Sequence, residues 1–228
     1  MPDARIAVVI PTLNEEAALE RNLPRLLALE ENVSVLVSDG GSEDRTAEVV
    51  ERLGVALVSG SPGRGTQLNR GARAIDGDIL LFLHADTTLP TGAFRSIRQA
   101  ITDGAVGGGF LIAFDAGGPL LRLGERMVNL RTRVTRVPLG DQAQFVARPA
   151  FERLAGYREW PILEDLDFAR RLKREGRTAL IHDRVTTSAR RFTERGVLRT
   201  VATNWMIWTL YLFGVSPRRL APLYRQVR

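Results

Sequence analysis

Five apolar residues in succession, Ile79 to Leu83, run from the carboxylate of Asp78 to the triplet His84-Ala85-Asp86. An unbroken run of that length reads as a strand covered on both faces, because a half-exposed strand would alternate. Strands of this kind belong to open α/β sheets, where ligands bind at the carboxyl ends, and His84 and Asp86 emerge at that end. Alternate strand residues share a face, so an imidazole nitrogen and a carboxylate oxygen would point the same way and could hold one divalent ion. The competing reading is an Asp that caps the helix after Pro90, beside a packed His.

The remaining chain supplies the rest of such a sheet. Residues 5–11 and 33–39 are β-branched apolar runs, and 55–59 is a shorter one. Helices are expected between them, the first capped by Asn14 after the turn Thr12-Leu13-Asn14-Glu15-Glu16, the next over 43–53 and a third over 66–75. Alternation of this kind predicts a doubly wound α/β sheet, mostly parallel, with right-handed crossovers. Further on, a helix is predicted over 91–101 and a strand over 105–114. The three glycines 107–109 in that strand suggest a close approach by a neighbour. An Arg-rich surface helix follows over 120–134, then a strand over 140–147, a helix after Trp160 and a last strand over 178–182. Residues 196–215 place Leu198, Val201, Trp205, Trp208 and Leu212 on one helical stripe.

Several chemistries are excluded. The chain has no Cys, so disulfides and thiolate sites are absent. Pro11-Thr12-Leu13-Asn14 stands where a dinucleotide-binding chain would have a Gly-rich turn, and Gly60 to Gly65 lacks the Gly-Lys-Ser/Thr of a P-loop. The stretch from Met1 enters a strand with no basic flank, which predicts no signal peptide. No apolar run reaches the ~18 residues of a spanning helix. Of the 32 basic residues all but Lys173 are Arg, and the net charge is +6. Arg favours phosphate through its bidentate fork. The charge is spread along the chain without an aromatic-interleaved basic motif, so nucleic acid is not an expected partner.

Two acidic features point to a site. Asp39, followed by Gly40-Gly41-Ser42, stands where such sheets place a carboxylate against a nucleotide, and the same four residues also make a good turn. Glu164, Asp165 and Asp167 crowd a helix start beside Trp160, which is more acid than a cap requires.

Together, Pro-Thr-Leu-Asn-Glu-Glu (11–16), Asp-Gly-Gly-Ser (39–42), Gly-Arg-Gly-x-Gln-x-Asn-x-Gly (63–71), His-Ala-Asp (84–86), Gly-Asp-Gln (140–142) and Glu-Asp (164–165) resemble a bacterial family 2 glycosyltransferase of the GT-A fold. The resemblance implies a mixed sheet flanked by helices in residues 1–192, with a nucleotide-binding half to about 90 and an acceptor half from 91 to 192. Residues 193–228 would be a helical extension packed on that domain. It further implies that Pro11, Leu13, Glu15, Asp39 and Gly40 line a nucleotide pocket bordered by Arg64, Gln67 and Ala85. Arg190 and Arg191 would close over the diphosphate. Asp86 would bind Mg²⁺ or Mn²⁺, with His84 either a second ligand or a contact to the sugar. His84, Asp141, Gln142 and Trp160 would face sugar or acceptor, and Asp165, with Glu164 beside it, would be the catalytic base.

The function implied is inverting, metal-dependent transfer of a sugar from a nucleotide-diphosphate sugar, a UDP-sugar ahead of a GDP-sugar, to a hydroxyl acceptor that is lipid-linked in one form of the reading. The expected location is cytoplasmic and peripheral on the inner face of the cell membrane, with contact through residues 196–219. The alternatives are a sugar-phosphate nucleotidyltransferase, which would need a Lys-containing Gly-rich first loop, and a non-catalytic nucleotide-sugar or lipid-binding module.

Overall fold

The computed structural model describes residues 4–29, 32–190, 192 and 196–225. The first four strands follow the apolar runs closely: β1 (Ile6–Thr12), β2 (Val33–Asp39), β3 (Ala56–Ser59) and β4 (Ile79–Phe82). Helices α1 (Glu16–Leu27), α2 (Thr46–Arg52) and α3 (Arg64–Ala74) join them. All pairs in the order β3-β2-β1-β4 are parallel, so every strand of this half ends on the same rim.

Chain direction reverses at β4. Beyond the two-residue β5 (Thr87–Thr88), helix α4 (Ala93–Thr102) and β6 (Gly107–Phe114), the chain forms α5 (Pro119–Thr135), then β7 (Gln144–Ala147), which lies antiparallel to β4 with Phe82 opposite Gln144. Helices α6 (Arg148–Arg153) and α7 (Glu164–Glu175) lead to β8 (Thr178–Thr187). The eight-stranded order is β3-β2-β1-β4-β7-β6-β8-β5, mixed because β7 and β5 run against their neighbours. The expectation of a mixed, mostly parallel sheet between helices therefore holds.

Three expectations need correction here. Residues 140–142 form a 3-10 turn, and the strand begins only at Gln144. The last strand is twice the predicted length, because β6 offers it a parallel partner from Gly107 to Phe114. Asn14 also does not cap α1. It takes a left-handed backbone at φ 56° and its side chain accepts a hydrogen bond from Glu43 N–H, 2.8 Å away.

The glycines of β6 serve the predicted close approach. A Cβ on Gly108 would strike the Ala179 carbonyl, and one on Gly109 would strike Pro138 and the Gln142 carbonyl.

Past Gly108, β6 has no strand on its β7 side, and polar side chains take the place of one. Gln142 donates to Phe110 O (2.8 Å), Asn129 both donates to Ile112 O and accepts from Ile112 N (2.9 Å each), and Glu125 accepts from Phe114 N (3.3 Å). Alternate residues of one edge are thus satisfied by α5 and the 3-10 turn, as a buried edge requires. In consequence α5 turns Glu125, Asn129 and Thr132 inward, and leaves Leu123, Met127, Leu130 and Val134 in solvent.

The C-terminal segment forms α8 (Val197–Leu212) and α9 (Pro217–Arg225). Ile207 is buried against Ile162, Leu220 and Ala221, while Trp208 and Tyr211 pack on Leu166 and Ala169. The predicted stripe is split, with Val201 and Trp208 packed inward while Trp205 and Leu212 are about 60% exposed. Helix α8 is apolar around most of its circumference, and the positions of α5, α7 and α9 select which side is covered.

Replacing Asn129 with Ala is expected to lower unfolding stability by about 1–3 kcal/mol, because both backbone groups of Ile112 lose their partner in a buried place. Urea titration measures it, and an unchanged midpoint would contradict the edge-capping role.

Candidate active site

The antiparallel pairing of β4 and β7 decides what meets what. With Phe82 opposite Gln144, residues that follow β4 lie beside residues that precede β7. His84 and Asp86 accordingly lie in a turn, closed by Thr87 N–H to His84 O at 3.1 Å, next to the 3-10 turn at Gly140. A Cβ on Gly140 would contact the Arg64 guanidinium, His84 Nε2 and Asp165 Oδ2 at once. Three segments far apart in sequence therefore converge on one glycine.

Asp165 stands in the first turn of α7, where the helix dipole favours a carboxylate. Its Oδ2 accepts from Gly140 N–H (2.8 Å) and its Oδ1 from Leu166 N–H (2.7 Å), so both oxygens are oriented while the side chain stays partly open to solvent. Leu163, two residues earlier, holds a left-handed backbone at φ 66°. For a bulky residue that is a strained conformation, of order 1–2 kcal/mol. Gln144 fixes the same helix start by donating to Asp165 O (3.1 Å) and Pro138 O (2.8 Å), and Tyr157 OH donates to Gln144 in turn (2.8 Å). Tyr157 is fully buried, stacked on Phe168, and burial together with the negative charge of Asp165 pushes its phenol well above its usual pKa. It is a neutral donor at any ordinary pH.

Arg64 opens α3 and occupies the centre of the site. Its Nε lies 3.2 Å from Glu164, its Nη2 lies 3.8 Å from Asp165, and Nη2 donates to His84 Nε2. Asp86 also feels the Arg64 charge, together with that of Arg190. Arg64 thus contacts Asp165 and adds its field at Asp86. Burial nevertheless outweighs both arginines at Asp86 and raises its pKa. An ionised carboxylate there is under-compensated.

Arg131 of α5 faces the site from the side of the 3-10 turn. Its Nη2 donates to Gln142 (2.8 Å), burial lowers its pKa, and Asp141 and Asp165 oppose that shift.

On the rim of the parallel half the loop after β2 is drawn around Asp39. Burial alone would raise this carboxyl, but hydrogen bonds from the Ser42 hydroxyl and N–H, Gly41 N–H and the Thr12 hydroxyl together hold it below its usual pKa. Those bonds fill its acceptor positions in the free protein. Leu13 is exposed, Pro11 and Glu15 are half-buried beside it, and Glu15 N–H donates to the Thr46 hydroxyl (2.9 Å).

Some predicted contacts are corrected by burial. Gln142 is completely buried, with its amide shared among Arg131, Thr132, Leu139 N–H and Phe110 O, so it holds the fold together and has nothing left for a sugar. Gln67 is likewise buried, bridging Thr12 O (2.7 Å) and Ser38 O (3.0 Å), and joins α3 to two strand ends. Gly40 is packed against that Gln67 amide. Ala85 sits in the core and its carbonyl accepts from Asn22 (2.8 Å). Glu164 is buried against Arg64, where it serves to hold the guanidinium. Trp160 packs edge-on to Tyr211 of α8 (6.2 Å), and Arg191 lies outside the described residues.

Sequence reasoning missed Gln144, Tyr157 and Arg131. Only an unexpected Gln at the head of an apolar strand pointed to the first, and nothing separated Arg131 from the other arginines of its helix.

Among the described residues no three His, Cys, Asp or Glu side chains cluster to form a metal cage. A hard ion such as Mg²⁺ needs only one or two protein carboxylates when substrate phosphates complete its shell. Asp86 fits that requirement, being an oxygen donor with uncompensated negative charge. His84 has its Nε2 engaged by the Arg64 guanidinium, so that nitrogen is not a free donor to an ion.

This combination, a parallel half-sheet whose rim carries a nucleotide-type loop and an antiparallel half that brings a second carboxylate to it, defines the GT-A class of fold. Residues 7–158 match the family model described as glycosyl transferase family 2, and the chain belongs to that family. The chain is 33% identical over 113 residues to the undecaprenyl-phosphate 4-deoxy-4-formamido-L-arabinose transferase of Aeromonas hydrophila, covering 43% of this chain and 34% of that protein. It is 25% identical over 206 residues to the β-monoglucosyldiacylglycerol synthase of Synechocystis, covering 75% of this chain and 41% of the relative. The chain thus spans only about a third to two fifths of the curated relatives it matches. Among solved structures, S. aureus TarS 1-349 superposes with a TM-score of 0.62 at 19% identity, over 87% of this chain and 64% of the other. A Pyrobaculum calidifontis mannosyltransferase in complex with GDP-Man and Mn²⁺ gives 0.61 at 18%, over 80% and 56%. At these identities the structural likeness is one of fold.

Because the folded-state pKa of Asp86 is raised, ionising it opposes folding: its favourable contribution is complete below the ordinary value of 3.8 and is lost as pH rises through the folded pKa. The variant Asp86→Asn is therefore expected to melt higher than the parent protein at pH 7, with the difference vanishing near pH 3.5–4. Thermal scans at the two pH values decide this, and a lower melting point for the variant at pH 7 would contradict it.

Proposed function

We propose that this chain transfers a sugar from a nucleotide-diphosphate sugar to a hydroxyl acceptor with inversion at the anomeric carbon. The observation that carries the reading is the oriented, partly open carboxylate of Asp165, held beside Arg64 at the rim where the turn of His84 and Asp86 follows β4. In this scheme Asp165 takes the proton of the acceptor hydroxyl as the acceptor oxygen bonds to the anomeric carbon. The bond from that carbon to the diphosphate oxygen breaks on the opposite face, and the nucleoside diphosphate leaves with the electron pair. Arg64 and Arg190 offset its charge, and Arg64 must move from Glu164 toward the diphosphate to do so.

Asp86 would hold the Mg²⁺ or Mn²⁺ ion, which supplies charge neutralisation on the diphosphate when bound. Pro11, Leu13 and Glu15 border the base and ribose. Asp39 joins them by exchanging one internal hydrogen bond, the Thr12 hydroxyl being the simplest to release, for a donor on the nucleotide. Asp141 and Trp160 lie on the acceptor side.

A UDP-sugar is the preferred donor and a GDP-sugar the second choice. Support comes from solved relatives in complex with UDP-GlcNAc and with GDP-Man. Residues 1–192 are assigned as the catalytic domain, with the nucleotide half ending near residue 90, and 193–228 as its extension. A lipid-linked acceptor and a peripheral cytoplasmic location complete the reading. They draw on relatives named as undecaprenyl-phosphate and dolichyl-phosphate transferases. No helix among the described residues is long and apolar enough to cross a membrane.

Asp165→Asn is expected to slow turnover of a nucleotide-sugar panel with Mn²⁺ by roughly 10²–10⁴-fold while leaving nucleotide affinity by calorimetry within a factor of three. A variant that turns over at the parental rate would remove the assigned base. Pyrophosphate release from nucleoside triphosphate and sugar phosphate would replace the proposal with nucleotidyl transfer.

A further inference from the structure

Helix α5 is inverted relative to an ordinary surface helix. Its buried face carries Glu125, Asn129 and Thr132 beside Leu121, because Glu125 and Asn129 stand in for a missing strand on β6, while Thr132 and Arg131 hold Gln142. Its solvent face is Leu123, Met127, Leu130 and Val134 at spacings of four, three and four, which is one continuous stripe. Helix α8 packs beside it and leaves Trp205, Met206, Leu212 and then Phe213 exposed, the last at 84%. A soluble surface does not ordinarily leave two adjacent helices dressed this way.

The charge around this face identifies what covers it. Arg122, Arg126, Arg133 and Arg136 flank the α5 stripe, and Arg199, Arg218 and Arg219 are exposed on or beside α8. The sequences of α5, α8 and α9 hold a single carboxylate, Glu125, and it is buried between Arg122 (2.8 Å), Arg184 (2.7 Å) and the Phe114 N–H. The exposed charge carried by these three helices is therefore all cationic. A second copy of the chain would bring two such rims together and be repelled, whereas an anionic lipid surface complements both the apolar centre and the basic border.

We propose that the α5 and α8 faces together form a docking surface for an anionic lipid bilayer, with Leu123, Leu130, Trp205 and Phe213 entering the acyl boundary and the arginines meeting lipid phosphates. The surface is tied to the cleft. Arg131 lies over the Trp208 ring (5.2 Å) on one side and donates to Gln142 on the other, one residue from Asp141. Docking thus sets the acceptor side of the cleft beside the membrane. The surface extends the reading in the previous subsection, but its test needs no sugar donor, so the two can fail separately.

The experiment is co-sedimentation of the full chain with vesicles of phosphatidylglycerol and phosphatidylcholine, and of phosphatidylcholine alone. Binding to the anionic vesicles is expected to be at least tenfold tighter and to weaken with added salt. Leu130→Ser with Phe213→Ser, both at exposed positions, is expected to reduce binding at least tenfold with circular dichroism and melting point unchanged. Arg126→Glu with Arg133→Glu is expected to abolish the preference for anionic lipid while leaving the fold intact. Equal partitioning of parent and Leu130/Phe213 variant would overturn the proposal. So would a concentration-dependent dimer in sedimentation velocity that the same two serines dissolve, since the face would then belong to a second copy.

Discussion

The reversal of chain direction between β4 and β7 is the constraint on which the rest depends. A parallel strand in that place would begin on the far rim, and its preceding loop would lie away from His84 and Asp86. Because β7 runs antiparallel, with Gln144 opposite Phe82, the loop that precedes it arrives at the carboxyl rim of the parallel half. Gly140 then meets Arg64, and its N–H meets Asp165. The absence of a side chain at 140 is what lets the groups approach, since a methyl there would occupy the space of the guanidinium.

The electrostatics of the cleft are arranged around Arg64. Glu164, buried and next to it, holds the guanidinium, and Asp165 keeps its own orientation through two N–H donors. Asp86 and Asp39 show how one residue type is put to two uses by its surroundings. Asp39 is surrounded by N–H and O–H donors that stabilise its charge, which makes it a fixed part of the loop. Asp86 is buried so far that Arg190, Arg64 and Thr87 do not offset its desolvation, and its pKa is raised.

The treatment of the β6 edge links the interior to the surface. Three polar side chains satisfy alternate backbone groups that a further strand would have paired, and two of them come from one face of α5. A helix that spends its polar residues inward presents apolar ones outward. The exposed stripe on α5 is thus a consequence of how the sheet ends, and it adjoins the apolar side of α8.

The amino-acid order alone determined the parallel half of the sheet, because uninterrupted apolar runs of strand length, separated by helix-length segments, admit few other arrangements. It also brought forward carboxylates 39, 86 and 165 as candidates, since each stands at the end of an apolar run or at a helix start. The tertiary structure decided the rest. Gln67 and Gln142 read as ligand contacts but are buried clasps, and no local pattern distinguishes an amide that faces a ligand from one that bridges two backbones. The buried side of α8 and the inward polar face of α5 were equally illegible. Helical periodicity defines stripes, but only the neighbours, here α7 and the open edge of β6, decide which stripe is covered.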